Sequence, residues 1–250
     1  MYVYFSNGGI NLRRSNIDIS FIVIILILAA SSLRSGAHDP MQWLMDKILI
    51  VPGIIIGLTF HEFAHAWVAD KCGDNTPKLQ GRVTLNPLAH IDWMGLAALF
   101  FVGFGWGQPV QINPYNFKNR RRDELLVALA GVVMNLLLAI LFAFVAKAVL
   151  SLVGWNWLST GFGNGIWMMI LYIIQINLVL MIFNLIPCPP LDGFNIIAQI
   201  FNFGGTETYW KIYQYGNWIL VALIVFGITG RIISPCVSYL YNLLANLIIM

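Results

Sequence analysis

The sequence predicts an all-α polytopic membrane protein with about five to six transmembrane helices and a small membrane-embedded β-strand or re-entrant region. Three observations carry that expectation. Of 250 residues 59% are hydrophobic and only 10% charged, where a soluble domain carries about a quarter charged. Apolar stretches long enough for a bilayer core of about 30 Å recur along the chain. No polar stretch is large enough for a separate soluble module of ~100 residues, so residues 1–250 read as a single transmembrane domain. The net charge of +3 is dispersed over connecting segments. That suits a topology signal and not a nucleic-acid footprint.

Residues 1–16 are mixed and carry Arg13 and Arg14. Residues 17–33 follow as a first membrane helix, which begins too late and lacks the small-residue cleavage site of a removable signal peptide. After a turn at 35–40 the second helix runs over 41–70, with Pro52 and Gly53 placed to kink it. Residues 71–82 form the first polar connection, punctuated by Gly73-Asp74-Asn75-Thr76-Pro77. Residues 81–86 and 108–113 each alternate like short strands and end at Asn-Pro. Between them 91–104 is apolar but too short to span, hence a re-entrant segment. The basic run 118–122 precedes a third span at 124–153 with Asn135 in its interior. An uncharged loop at 154–165 and a fourth span at 166–185 follow, then a break at 186–193 and a short helix to 201. Residues 206–215 are polar, and 216–250 make one bent span or a span and a return. The three cysteines, Cys72, Cys188 and Cys236, show no CxxC pairing and read as unpaired small apolar residues.

Positive residues mark the cytoplasmic side. Arg13 and Arg14, then Lys71, Lys78 and Arg82, then the run 118–122 belong there, and the uncharged 154–165 loop lies outside. Within this frame the chemistry concentrates on His61-Glu62-Phe63-Ala64-His65. Histidines four apart share one helix face, and two imidazoles so placed can hold a metal ion with Glu62 beside them. They sit about 15 and 9 Å from the inward end of their helix, the side on which Asp192 follows the fourth span. Ionisable groups are costly in a bilayer and mark function there. Zinc suits His and carboxylate donors, with three protein ligands and one open position in catalytic sites. Asp192, an acid at a helix break, is either the third ligand or a helix N-cap. Zinc would acidify a water, with Glu62 as the general base that passes its proton to the leaving amine. Asn135 is either a donor to the developing oxyanion or a helix–helix hydrogen bond. Asn184 carries the same two readings, with support of the Pro187 break preferred. His90 and Asp92 read as structural polar contacts, and His38 as a solvated loop residue.

Several further stretches stand in a fixed order with this motif. They are Gly73-Asp74-Asn75-Thr76, Gly81-Arg82-Val83-Thr84-Leu85-Asn86-Pro87 through His90-Ile91-Asp92, Gly105-Trp106-Gly107-Gln108-Pro109-Val110, Ala130-Gly131 with Asn135, and Phe183-Asn184-Leu185-Ile186-Pro187 through Pro190-Leu191-Asp192-Gly193. On these, over residues 43–201, the chain resembles the site-2 proteases, intramembrane zinc metalloproteases, in their small prokaryotic branch without PDZ or CBS domains. It departs from the pattern at Gly131-Val132, where the family has Gly-Pro, and at Gln108, where lysine is common. The resemblance implies one Zn2+ per chain held by His61, His65 and Asp192, with Glu62 as acid and base. It implies a multi-pass protein of a prokaryotic plasma membrane, and the positive residues put its N-terminus and active site on the cytoplasmic side. It also implies cleavage of peptide bonds within or near the spans of membrane-anchored protein substrates. Such a substrate must be unwound, and its bare backbone groups need partners in lipid. Strand addition at 81–86 or 108–113 would supply them. A non-catalytic metal-binding scaffold would instead tolerate Glu62→Gln, and a metal transporter would spread its ligands along several spans.

Overall fold

The computed structural model describes residues 2–4, 39–102 and 105–249. The first span expected at 17–33, and His38, lie outside them. A strand β1 (Tyr2–Tyr4) is followed, beyond the gap, by the 33-residue helix α1 (Pro40–Cys72). The Asp39 side chain caps α1 by accepting from the Gln42 N–H at 3.0 Å, and Pro40 starts it where no N–H is needed. Gly73 ends it in the left-handed conformation, φ 111°. Short helices α2 (Thr76–Leu79) and α3 (Trp93–Val102) precede strand β2 (Val110–Ile112). Long helices α4 (Arg120–Leu158) and α5 (Gly161–Asn184) are followed by α6 (Asp192–Ile200), α7 (Glu207–Val225) and α8 (Ile228–Leu244).

Four helical stretches among the described residues are long and apolar enough to cross a membrane: Pro40–Cys72, Arg120–Leu158, Gly161–Asn184 and Ile228–Ile249. The all-α polytopic membrane fold expected from the sequence is the one observed. At its centre α1, α4 and α5 pack together. Ala139, Ala143 and Ala146 of α4 are fully buried against Trp167, Ile170, Ile174 and Leu178 of α5. Gly53 does the same for α1, since a Cβ there would lie 3.1 Å from the Ile173 Cα. Helices in lipid gain little from apolar burial against each other, so close backbone approach through small residues is what joins them.

Three expectations are corrected. Residues 81–86 form no strand: Arg82 Nη1 donates to the Ala89 carbonyl and His90 Nε2 to the Thr84 carbonyl at 2.8 Å, so side chains bind this loop's backbone. The second strand contracts to Val110–Ile112 and pairs in parallel with β1, Tyr2 opposite Val110 and Tyr4 opposite Ile112. The loop expected at 154–165 shrinks to two residues. Gly154 (φ 73°) bends α4 without ending it, because 155–158 resume the helix, and Thr160 caps α5. The polar segment 206–215 is the first half of α7, capped by Thr206 and carrying a Glu207–Lys211 pair at 2.7 Å. Gly227 (φ 68°) then turns the chain from α7 into α8, which favours the span and return over one bent span.

Candidate metal centre

His61 and His65 lie on the face of α1 that α4 covers, at 2% and 0% exposure. Asp192 arrives from the other half of the chain as the first residue of α6, not as its cap; Leu191 holds the cap position. Its carboxylate reaches the histidines. Asp192 Oδ2 stands 3.1 Å from His61 Nε2 and 3.3 Å from His65 Nε2, and the two Nε2 atoms are 3.0 Å apart. Among the described residues these three form the group able to hold a metal ion. Cys72 and Cys188 stay outside it and unpaired.

The hydrogen bonds on the far sides of the rings decide which atoms face inward. His65 Nδ1 is 2.7 Å from the Val127 carbonyl, which can only accept, so Nδ1 carries the proton and Nε2 a lone pair. His61 Nδ1 is 2.7 Å from Asn135 Oδ1. The Asn135 amide nitrogen donates to the Gly57 carbonyl at 3.2 Å and to Asn177 Oδ1 at 3.0 Å, so its oxygen faces His61. Two imidazole lone pairs and a carboxylate oxygen thus converge within 3.0–3.3 Å. That is a repulsive grouping unless a proton or a metal cation sits among them. Tetrahedral zinc with ligand bonds of about 2.0–2.1 Å sets its ligand atoms about 3.3–3.4 Å apart. The donor set fits zinc.

Of the two readings of Asn135, these hydrogen bonds are those of a helix–helix contact. Both its amide protons are engaged, and none remains for an oxyanion. Its place is behind His61, where it fixes the ring. Asn184 turns onto its own helix, donating to the Leu180 carbonyl at 2.9 Å. Asp92 accepts from the Gly95 N–H at 2.8 Å, and His90 is fully buried, its burial lowering its pKa from the ordinary imidazole value. Both are structural contacts, as expected.

Glu62, 3% exposed, reaches β2, where its Oε2 accepts the Val110 N–H at 3.2 Å. Gly107 fits between, since a Cβ there would lie 3.6 Å from Glu62 Oε1 and 3.1 Å from the His90 carbonyl. Asp192 is held in place through α6. Tyr209 Oη donates to Asn195 Oδ1 at 2.8 Å, and Gln199 Nε2 donates to the buried Glu124. Arg121 donates to the Gln199 and Ile200 carbonyls at 2.8 and 2.7 Å. The basic run expected only to mark topology therefore also caps the helix that carries Asp192.

The sequence alone assigns no role to Val127, Gly57 or Asn177. The Gly53–Gly57 spacing and an amide inside an apolar span were the signals available. Gly131 has a steric reason. A Cβ there would lie 2.5 Å from both His61 Cε1 and His65 Nε2. Gly131→Ala is expected to leave the helical content intact and to weaken zinc binding about tenfold or more, the scale of a displaced supporting contact. Equilibrium dialysis against a zinc chelator checks it.

The family model described as Peptidase family M50 matches residues 49–159 and 159–227. Among curated proteins, the chain is 38% identical over 203 residues to "Putative zinc metalloprotease YwhC" of Bacillus subtilis, covering 78% of this chain and 92% of that one. It is 27% identical over 232 residues to "Putative zinc metalloprotease Rip2" of Mycolicibacterium smegmatis, covering 89% and 85%. It is 29% identical over 172 residues to the Rip2 protein of Mycobacterium tuberculosis, covering 66% and 62%. No solved structure matches the chain.

Proposed function

The chain belongs to peptidase family M50 and is a zinc metalloprotease with several membrane-length helices, and we propose that it hydrolyses peptide bonds within or beside the spans of membrane-anchored proteins. The observation that carries this is the depth of the donor set: His61, His65 and Asp192 are at most 2% exposed, between helices long enough to cross a bilayer. A site so placed favours a substrate that enters from the membrane, in the manner of regulated intramembrane proteolysis.

His61, His65 and Asp192 would hold the metal. When bound, zinc supplies a Lewis acid and an acidified water. Glu62 acts as general base and then acid, its carboxylate aimed by the Val110 N–H. Asn135 orients His61. The site opens to the cytoplasmic side of a prokaryotic plasma membrane, the side of Lys71, Lys78 and Arg120 to Arg122 at the same ends of α1 and α4.

The substrate binds as an extended strand along β2, next to Glu62. The parallel pairing of β1 with β2 supports this, because it is strand pairing at that very segment. Gln111→Pro, which deletes one ladder N–H, is expected to lower cleavage of a membrane-spanning substrate about tenfold, with zinc content unchanged. Cleavage at the wild-type rate would refute strand addition.

The test of the proposal is proteolysis in liposomes of a membrane-spanning substrate tagged at both ends, with the cut mapped by mass spectrometry. The expected cut lies in or at the edge of the span, disappears on chelation and returns with zinc. Cuts confined to soluble segments, or zinc flux without any cleavage, would overturn it.

A further inference from the structure

We infer that Asn177, in the second half of α5, is a positioning residue that sets the tautomer of His61 and so keeps the His61 Nε2 lone pair available to zinc. The inference rests on the zinc centre and not on the intramembrane substrate, and it needs no proteolysis to be tested.

Asn177 is fully buried in an apolar helix, where an amide is costly unless each of its groups is bonded. Its nitrogen donates to the Ile173 carbonyl at 2.8 Å, and its oxygen accepts from Asn135 Nδ2 at 3.0 Å. Orientation propagates from there by elimination. The Ile173 carbonyl can only accept, so the Asn177 amide must turn its nitrogen to that carbonyl and its oxygen to Asn135. That oxygen can only accept, so Asn135 must present its nitrogen to Asn177 and to the Gly57 carbonyl, and its oxygen to His61. His61 Nδ1, 2.7 Å from that oxygen, must then carry the proton, which leaves Nε2 bare among His65 Nε2 and Asp192 Oδ2.

The two histidines differ in how firmly this is set. His65 is bonded to a backbone carbonyl, Val127, which cannot turn over. The partner of His61 is a side-chain amide, which can. A flipped Asn135 would offer N–H to His61 Nδ1, drive the ring proton to Nε2 and remove a zinc ligand. Two acceptors prevent the flip, the Gly57 carbonyl and Asn177 Oδ1. The helix contact is built to bring both within reach: a Cβ on Gly57 would lie 2.6 Å from Leu180 Cδ1 and 3.3 Å from Asn177 Oδ1.

The test compares Asn177→Leu, which removes the acceptor at similar volume, with Asn177→Asp. An aspartate there still offers Asn135 Nδ2 an acceptor oxygen in the place of Asn177 Oδ1. The readouts are the 15N resonances of His61 in the zinc-stripped full chain, at one neutral pH, and zinc affinity by chelator competition. Wild type and Asn177→Asp should show the Nδ1–H form. Asn177→Leu should show the Nε2–H form as well, with zinc affinity down about tenfold. A helix-packing role alone would lower stability and leave both readouts at wild-type values, and that result overturns the inference. So would Asn177→Asp behaving like Asn177→Leu. If Asn177→Leu does not fold, Asn177→Ser, too short to reach Asn135, carries the same expectation and the same refutation.

Discussion

Glu62→Gln is expected to bind one zinc per chain as tightly as the wild type while cleavage of a membrane-spanning substrate falls about 10²–10⁴-fold, the range for loss of general acid–base catalysis. The separation of the two effects follows from the geometry. The glutamine oxygen can still accept the Val110 N–H, as Glu62 Oε2 does at 3.2 Å, so the contact between α1 and β2 survives. The converging donor atoms belong to His61, His65 and Asp192, so the metal site keeps its ligands. Only the basic oxygen is lost. Zinc analysis and cleavage on the same preparation check it. Cleavage at the wild-type rate would remove Glu62 from the chemistry and revive the scaffold and transporter alternatives.

Asp192→Ala has the other large effect. Two readings of Asp192 predict different magnitudes. A helix cap replaced by alanine costs about 1 kcal/mol of stability and would leave zinc bound. A metal ligand replaced by alanine should cost more than the ~10–100-fold in affinity that removal of an outer hydrogen-bond partner costs. The structure puts Leu191 at the cap and Asp192 Oδ2 at 3.1 and 3.3 Å from the two Nε2 atoms. Asp192→Ala is therefore expected to fold, to lose zinc to a mild chelator and to lose proteolysis with it. Retention of zinc at wild-type affinity would contradict the ligand assignment.

The two histidines were legible in the sequence because four residues is a helical repeat, and the helix around them is long, apolar and capped by local residues. Asp192 was legible as a candidate, while its choice between cap and ligand depended on a one-residue offset that only the backbone at Leu191 decides. Residues 81–86 misled for a plain reason. Alternation shows which side chains share a face, but a strand exists only with a partner, and Arg82 and His90 take the loop carbonyls instead. Residues 154–165 misled through Gly154, which bends α4 but does not stop it. The orientation of the Asn135 amide was out of reach. The two acceptors that turn its amide nitrogen away from His61 are the Gly57 carbonyl and Asn177 Oδ1, which lie 78 and 42 residues away along the chain on other helices.

The measurement that bears most directly on the zinc centre is X-ray absorption at the zinc edge of the purified chain, with metal stoichiometry. One zinc per chain, with two imidazole nitrogens and carboxylate oxygen at about 2.0–2.1 Å and no sulfur, is the predicted result. A shell of sulfur at about 2.3 Å would place the metal on Cys72 or Cys188, and the account built on His61, His65 and Asp192 would fail.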